Sequence, residues 1–205
     1  MQSYDSDRQF PLFGFGGIPR FTGASQVSHC FNLNGSPDPE VHGLEGIHET
    51  YKRALAGTEL YGPTFFAPIL RTVVDHVRAG QAEPMYHIFL ILTDGEIHDM
   101  PQTVDLVVEA SSLPLSIIIV GVGNESFRKM VELDADEQIL RNGVGKPAER
   151  DIVQFVKFAD YRNSHISVLA EEVLKEVPEQ FVGYMMSRGI RPPPPVAAPD
   201  FNQFV

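Results

Sequence analysis

One cysteine, Cys30, is all the thiol chemistry this 205-residue chain contains. A single thiol forms no internal disulfide, and no Cys/His cluster has zinc spacing. Cysteine usage this sparse fits a reducing, intracellular compartment. Long apolar runs are missing too. No segment approaches the run of about 18 apolar residues that would read as a membrane-spanning helix. Positive charge is short: 16 Lys+Arg stand against 27 Asp+Glu, a net charge of −11. Such a balance argues against nucleic acid as a partner and against a purely electrostatic hold on anionic lipid. It suits cations or basic partners, and it serves solubility equally well. The first ten residues, MQSYDSDRQF, are polar and acidic and read as neither a signal nor a transit peptide.

What is present suffices for one domain with a real core. FPLFGFGG (10–17) and VSHCFNL (27–33) read as short strands separated by Gly- and Pro-rich turns. From Glu40 the period changes: Val41, Leu44, Ile47, Tyr51 and Leu55 recur at three- and four-residue steps, the pattern of an amphipathic helix. A breaker cluster, YGPT, precedes a second helical pattern carried by Phe66, Ile69, Leu70, Val73, Val74 and Val77. Pro68 suits its first turn, where an N–H would have no helical partner. Ile88–Leu92 and Leu115–Val122 are continuous apolar runs rich in Ile and Val, the mark of inner strands buried on both faces of a parallel sheet. Between them, Met100–Ser112 reads as a helix, which completes a strand–helix–strand crossover. A shorter helix is expected over 124–133 and a strand nearer the sheet edge over 151–158. A last helix is expected from Ile166 to Tyr184, which Pro178 either kinks or restarts. The end, RPPPPVAAPDFNQFV, reads as polyproline II or disordered chain. Residues 1–188 thus form the expected domain and 189–205 a Pro-rich tail. Alternation of strands and helices predicts an α/β fold with a doubly wound, mostly parallel sheet.

In such sheets ligands bind at the carboxyl ends of strands. Asp94 of LTDGEIHDM stands at such an end. A carboxylate there has three possible jobs: holding a metal, acid–base work, or capping a turn. Thr64, after Gly62-Pro63, offers a hydroxyl from a loop expected on the same sheet edge, and Gly95 lets a partner come close. A hard divalent cation such as Mg²⁺ takes carboxylate, hydroxyl and water oxygens of this kind.

YDSD…FPLFGFGG, LYGPTFFAP, LTDGEIHDM, LPLSIIIVGVGN and RDIVQFVKF follow one another in that order. Together they resemble the C-terminal A domain of the copines, a branch of the von Willebrand factor A superfamily. The terminal GIRPPPPVAAP is similar to the end of some animal copines, so the likeness runs from Tyr4 to about Pro199. The resemblance implies a Rossmann-like α/β sandwich with a metal-ion-dependent adhesion site. That site uses a first-strand Asp-x-Ser-x-Ser motif, a Thr from a second loop and an Asp from a third. Thr64 matches the second element and Asp94 the third. Mg²⁺ or Mn²⁺ is the implied metal, with an open position for a partner's acidic side chain. The resemblance also implies a cytosolic parent whose separate calcium-dependent phospholipid-binding domains carry it to the plasma membrane when calcium rises. It further implies an A domain that recruits protein partners and is not an enzyme.

The chain departs from the family pattern at its start. Asp-x-Ser-x-Ser is absent, and Asp5-Ser6-Asp7 has the wrong spacing and no apolar strand before it. The expectation is a domain without its first inner strand and helix, a fragment or short form. Its metal site is partial and weak, and its apolar sheet edge is uncovered. The enzyme alternative is a Mg²⁺-dependent phosphoryl-handling α/β domain built on Asp94, with Glu96 or Asp99 as its second carboxylate. Glu96 otherwise reads as part of a solvated acidic loop, and His98 as an exposed histidine that could take a softer metal. Gly14–Gly17 and Gly121-Val122-Gly123 lack the G-x-G-x-x-G dinucleotide pattern and read as backbone turns. No serine has a nucleophile-elbow context. Arg191–Pro195 would suit an SH3 or WW groove, or simply end the chain.

Overall fold

The computed structural model describes residues 7–80, 85–95, 97–135 and 138–191. Its centre is a parallel three-stranded sheet in the order β7–β8–β9, formed by His87–Thr93, Leu115–Gly121 and Val153–Lys157. Every residue of β8 is buried, which is why its sequence shows no polar alternation. Ile117 and Ile119 point to one face and Ile118 and Val120 to the other, as the two-residue repeat of a strand requires. On the first face lie α2 (Ala67–Ala79), α3 (Met100–Ala110) and α4 (Arg128–Asp134), through Leu70, Val74, Leu106, Val107 and Met130. On the second lie α5 (Ile166–Leu174) and α6 (Val177–Ser187), through Val173, Leu174 and Val177. Helices on both faces of a parallel sheet make the fold α/β and von Willebrand factor A-like. Each fully buried isoleucine of β8 contributes roughly 1.5–3 kcal/mol by leaving water.

Ahead of this unit the chain forms short antiparallel pairs. β1 (Gln9–Pro11) pairs with β5 (Glu40–His42), β2 (Phe13–Gly14) with β4 (Phe31–Asn32), and β3 (Gly17–Pro19) with β6 (Thr58–Leu60). The single strand expected over 10–17 is therefore three pieces, and of 27–33 only Phe31–Asn32 is strand, with an isolated bridge at Ser28. β6 has no counterpart in the sequence reading, because Thr58–Leu60 is too short to show a period.

Helix α1 spans Gly43–Ala56, so Val41 belongs to β5 rather than to the helix. Its apolar stripe does not face a core: Leu44, Tyr51 and Leu55 are exposed, while Thr50 and Ala54 are buried. Strand β7 also differs from expectation. Its apolar run predicts an inner strand, yet among the described residues it forms the outer edge, with β8 inside. Leu90 is 38 % and Leu92 61 % exposed, whereas Ile91 between them is buried. The apolar run of β7 reflects a strand made to be covered on both faces, and here one face is open.

α4 begins at Arg128, four residues later than expected. The last helix is two, α5 and α6, with Pro178 in the first turn of α6. β9 lies at the other edge of the sheet, as expected. Gly121 and Gly123 serve packing and turning. A Cβ on Gly121 would meet the Phe127 ring at 2.9 Å, and Gly123 has a φ of +108°. Residues 192–205, including most of the Pro-rich tail, lie outside the described residues, as do Asp5, Ser6 and Glu96.

At the start of β7, the His87 ring meets His76 of α2 edge to face, 5.7 Å between centroids. Burial, and secondarily the His76 charge, pushes the His87 pKa below the ordinary histidine value. The unfolded chain then takes up that proton more readily than the folded one. Stability is therefore full above about pH 6.5, the unfolded value, and falls as the pH drops from there through the folded value. His87→Gln should flatten this part of a plot of urea midpoint against pH. A slope equal to that of the unsubstituted chain would show that His87 is not its source.

Candidate functional site

The site is built at the carboxyl end of β7. Thr93 is buried, and its Oγ1 accepts from the N–H of Gly95 at 3.3 Å, which starts the turn out of the strand. Asp94 at the tip is exposed, and its carboxylate has no hydrogen-bond partner among the described residues. Thr64 comes from the irregular segment between β6 and α2. A Cβ added to Gly95 would stand 3.3 Å from Thr64 Oγ1. The Thr64 hydroxyl thus lies against the one residue of the turn that has no side chain. The fold brings the Thr64 and Asp94 loops together, as the sequence reading expects. Thr64 lies outside α2, which starts three residues later.

What joins the two loops is the segment Ile97-His98-Asp99. Ile97 is fully buried and its carbonyl accepts from Lys129 Nζ at 2.7 Å. His98 donates its backbone N–H to the Thr64 carbonyl (2.9 Å), and His98 Nδ1 accepts the Thr64 N–H (3.1 Å). Asp99 Oδ1 accepts from Phe66 N–H (2.9 Å) and from Thr103 Oγ1 (3.3 Å), and Oδ2 accepts from Ala67 N–H (2.8 Å). Asp99 therefore caps α2 from another segment of the chain. An anion at a helix N-terminus satisfies orphan N–H groups and meets the positive end of the helix dipole.

This bears on two residues. As the second carboxylate of a phosphoryl-handling site, Asp99 is poorly placed, because each of its oxygens already accepts from an N–H at the start of α2. His98 is exposed, as expected, but its ring Nδ1 is engaged by the Thr64 N–H. One signal for the cap was present in the sequence. Phe66 stands where a helix prefers Ser, Thr, Asp or Asn, and its side chain supplies no cap, so the acceptor had to come from elsewhere.

His29 lies close by. Its ring packs on Phe65 at 4.5 Å between centroids, and its Nδ1 is buried without a hydrogen-bond partner. Burial pushes its pKa below the ordinary value, and the Asp99 charge opposes that shift.

Two free oxygens, a carboxylate and a hydroxyl held against a glycine, match the donor chemistry of a hard divalent cation but fall short of its usual ligand number. Among the described residues no three His, Cys, Asp or Glu side chains gather into a group that could hold an ion. The residues thus fit part of a cation site.

A family model described as Copine matches residues 1–193. The chain belongs to the copine family. Protein BONZAI 1 of Arabidopsis thaliana is 45 % identical to this copine over 199 residues, which cover 95 % of the chain and 34 % of that relative. The copine chain thus spans about a third of the length of the curated relative it matches. No helix among its described residues is long and apolar enough to cross a membrane.

Proposed function

We propose that this copine domain is a non-enzymatic protein-recruiting module. On this reading, Thr64 and Asp94 are two ligands of a Mg²⁺ or Mn²⁺ site at the carboxyl end of β7, where a partner's acidic side chain would complete the cation's shell. One observation carries it: the Thr64 hydroxyl rests against Gly95 beside an unengaged Asp94 carboxylate. The cation, when bound, supplies electrostatic attraction for an anionic partner group. The residues of the chain orient it and leave it open to solvent.

Two oxygens compete poorly with a full hydration shell, so the site of this chain is weak by itself. The open edge of β7 supports a further strand there in a longer parent, which would bring the remaining oxygen ligands. In that parent, separate domains would bind phospholipid in response to calcium and carry a cytosolic protein to the plasma membrane. The Pro-rich tail would add an SH3 or WW ligand.

NMR with added Mn²⁺ tests the ligand assignment. Millimolar rather than micromolar Mn²⁺ should broaden the Thr64 and Gly95 amide resonances, and Asp94→Ala should abolish the effect. Broadening that survives Asp94→Ala would place the ion elsewhere. The phosphoryl-handling alternative is weakened by the engagement of Asp99. A phosphatase and nucleotide-hydrolysis screen should find no activity that Asp94→Asn removes.

A further inference from the structure

We infer that His98 is a positioning residue for this site, aiming the Thr64 hydroxyl before any cation arrives. The inference rests on the reading of Thr64 and Asp94 as cation ligands. It starts from the backbone of Thr64. The N–H of Thr64 belongs to the peptide plane before its Cα and the C=O to the plane after it. Both groups bond to the same residue: the N–H to His98 Nδ1 and the C=O to the His98 N–H. Two peptide planes tied to one point leave little freedom in the φ and ψ of Thr64, and the direction of its Cβ follows from those two angles.

The other end of the clamp is equally fixed. On one side of His98, Ile97 is buried and receives Lys129; on the other, Asp99 is bonded to the first turn of α2. The Thr64 side chain itself has no hydrogen-bond partner among the described residues. Its backbone is held and its hydroxyl is left for a ligand. Ordering a ligand group in advance removes part of the entropy cost of binding.

Asp99 cannot do the same job, since its bonds begin at Phe66, past Thr64. Nor does regular structure hold this segment: residues 61–66 are neither helix nor strand. The Nδ1 atom is the working part of the side chain. Because Nδ1 accepts, the neutral ring carries its proton on Nε2. An asparagine places its Oδ1 two bonds from Cβ, as histidine places Nδ1, and can accept the same N–H. Alanine keeps only the backbone half of the clamp.

The full chain is compared as His98, His98→Ala and His98→Asn at one fixed pH, with Asp94→Ala as the reference for a lost site. Exchange of the Thr64 amide hydrogen should accelerate in His98→Ala and return towards the original rate in His98→Asn. The Mn²⁺ concentration giving half-maximal broadening of Gly95 should rise about tenfold in His98→Ala, the effect of one lost hydrogen bond. In His98→Asn it should stay within about twofold, by the same reasoning. If exchange accelerates while Mn²⁺ binding is unchanged, His98 is structural and the inference fails alone. If asparagine restores neither quantity, Nδ1 is not the acceptor that matters, and the inference fails. If the unsubstituted chain shows no Asp94-dependent broadening, the cation reading fails and this inference goes with it.

Discussion

Arg150→Ala should lower the unfolding free energy by about 3 kcal/mol, the cost of several charge-assisted hydrogen bonds lost at once. Arg150 lies just ahead of β9, beneath the amino end of β8. Its Nη2 donates to the carbonyls of Leu113 (2.6 Å) and Leu115 (2.7 Å), and its Nη1 donates to Tyr86 Oη (3.2 Å) and to the Gln180 carbonyl (3.4 Å). The guanidinium also packs over the rings of Tyr86 and Tyr184, 5.8 and 5.3 Å from their centroids. One side chain thus ties the start of β8 to α6 on the face where the apolar contacts are fewest, a cluster of Ile118, Val120 and Val177. Removing it takes a donor from each of these acceptors, although the Leu113 carbonyl keeps the Leu115 N–H, and leaves α6 held by that small cluster, the Ser116–Gln180 hydrogen bond and the Tyr86–Phe181 ring contact. Urea unfolding should show a lower midpoint at unchanged slope. Arg150→Lys should recover little, because an ammonium cannot span four acceptors in the plane of a fork. Full stability in the lysine variant would mean that charge alone, rather than the fork, holds the corner.

Asp99→Ala should cost about 2 kcal/mol, at the upper end for loss of a helix cap. Three hydrogen bonds end on this carboxylate, one from Ala67, the first residue of the 13-residue α2, and one from the backbone of its N-cap residue, Phe66, whose side chain supplies no cap. Asp99→Asn should be intermediate, since an amide offers one acceptor oxygen where the carboxylate offers two. Hydrogen exchange should locate the loss. Protection should fall first in α2 and at Thr64, with β8 and β9 little affected. Uniform loss across the sheet would contradict a role confined to the helix start.

Most of the second half of the fold is written in residue order. LSIIIVGV has apolar side chains at nearly every step because β8 is buried on both faces, and a strand in that position shows no alternation. Val104, Val107 and Val108 announce α3, and Pro178 marks the first turn of α6. The first half is harder to read. FPLFGFGG is three short strands, each with a different partner, and pieces of two or three residues have no period to detect. The stripe of α1 is legible as a helix but not as an exposed one. Amphipathicity states which face should be covered, while the covering element belongs to the rest of the structure.

The candidate site divides in the same way. Residue order alone placed Asp94 at the end of an apolar strand and Thr64 in a loop on the same sheet edge, because strand ends and Gly-Pro turns are local features. The family followed from motifs in sequence, and the family match bears it out. Only the tertiary structure decided what His98 and Asp99 do. Apart from Thr103, four residues beyond Asp99, their partners Thr64, Phe66 and Ala67 lie 34, 33 and 32 residues away. A hydrogen bond across that separation leaves no periodic trace, and neighbouring residues of one acidic loop look alike until the chain folds and gives each a different partner.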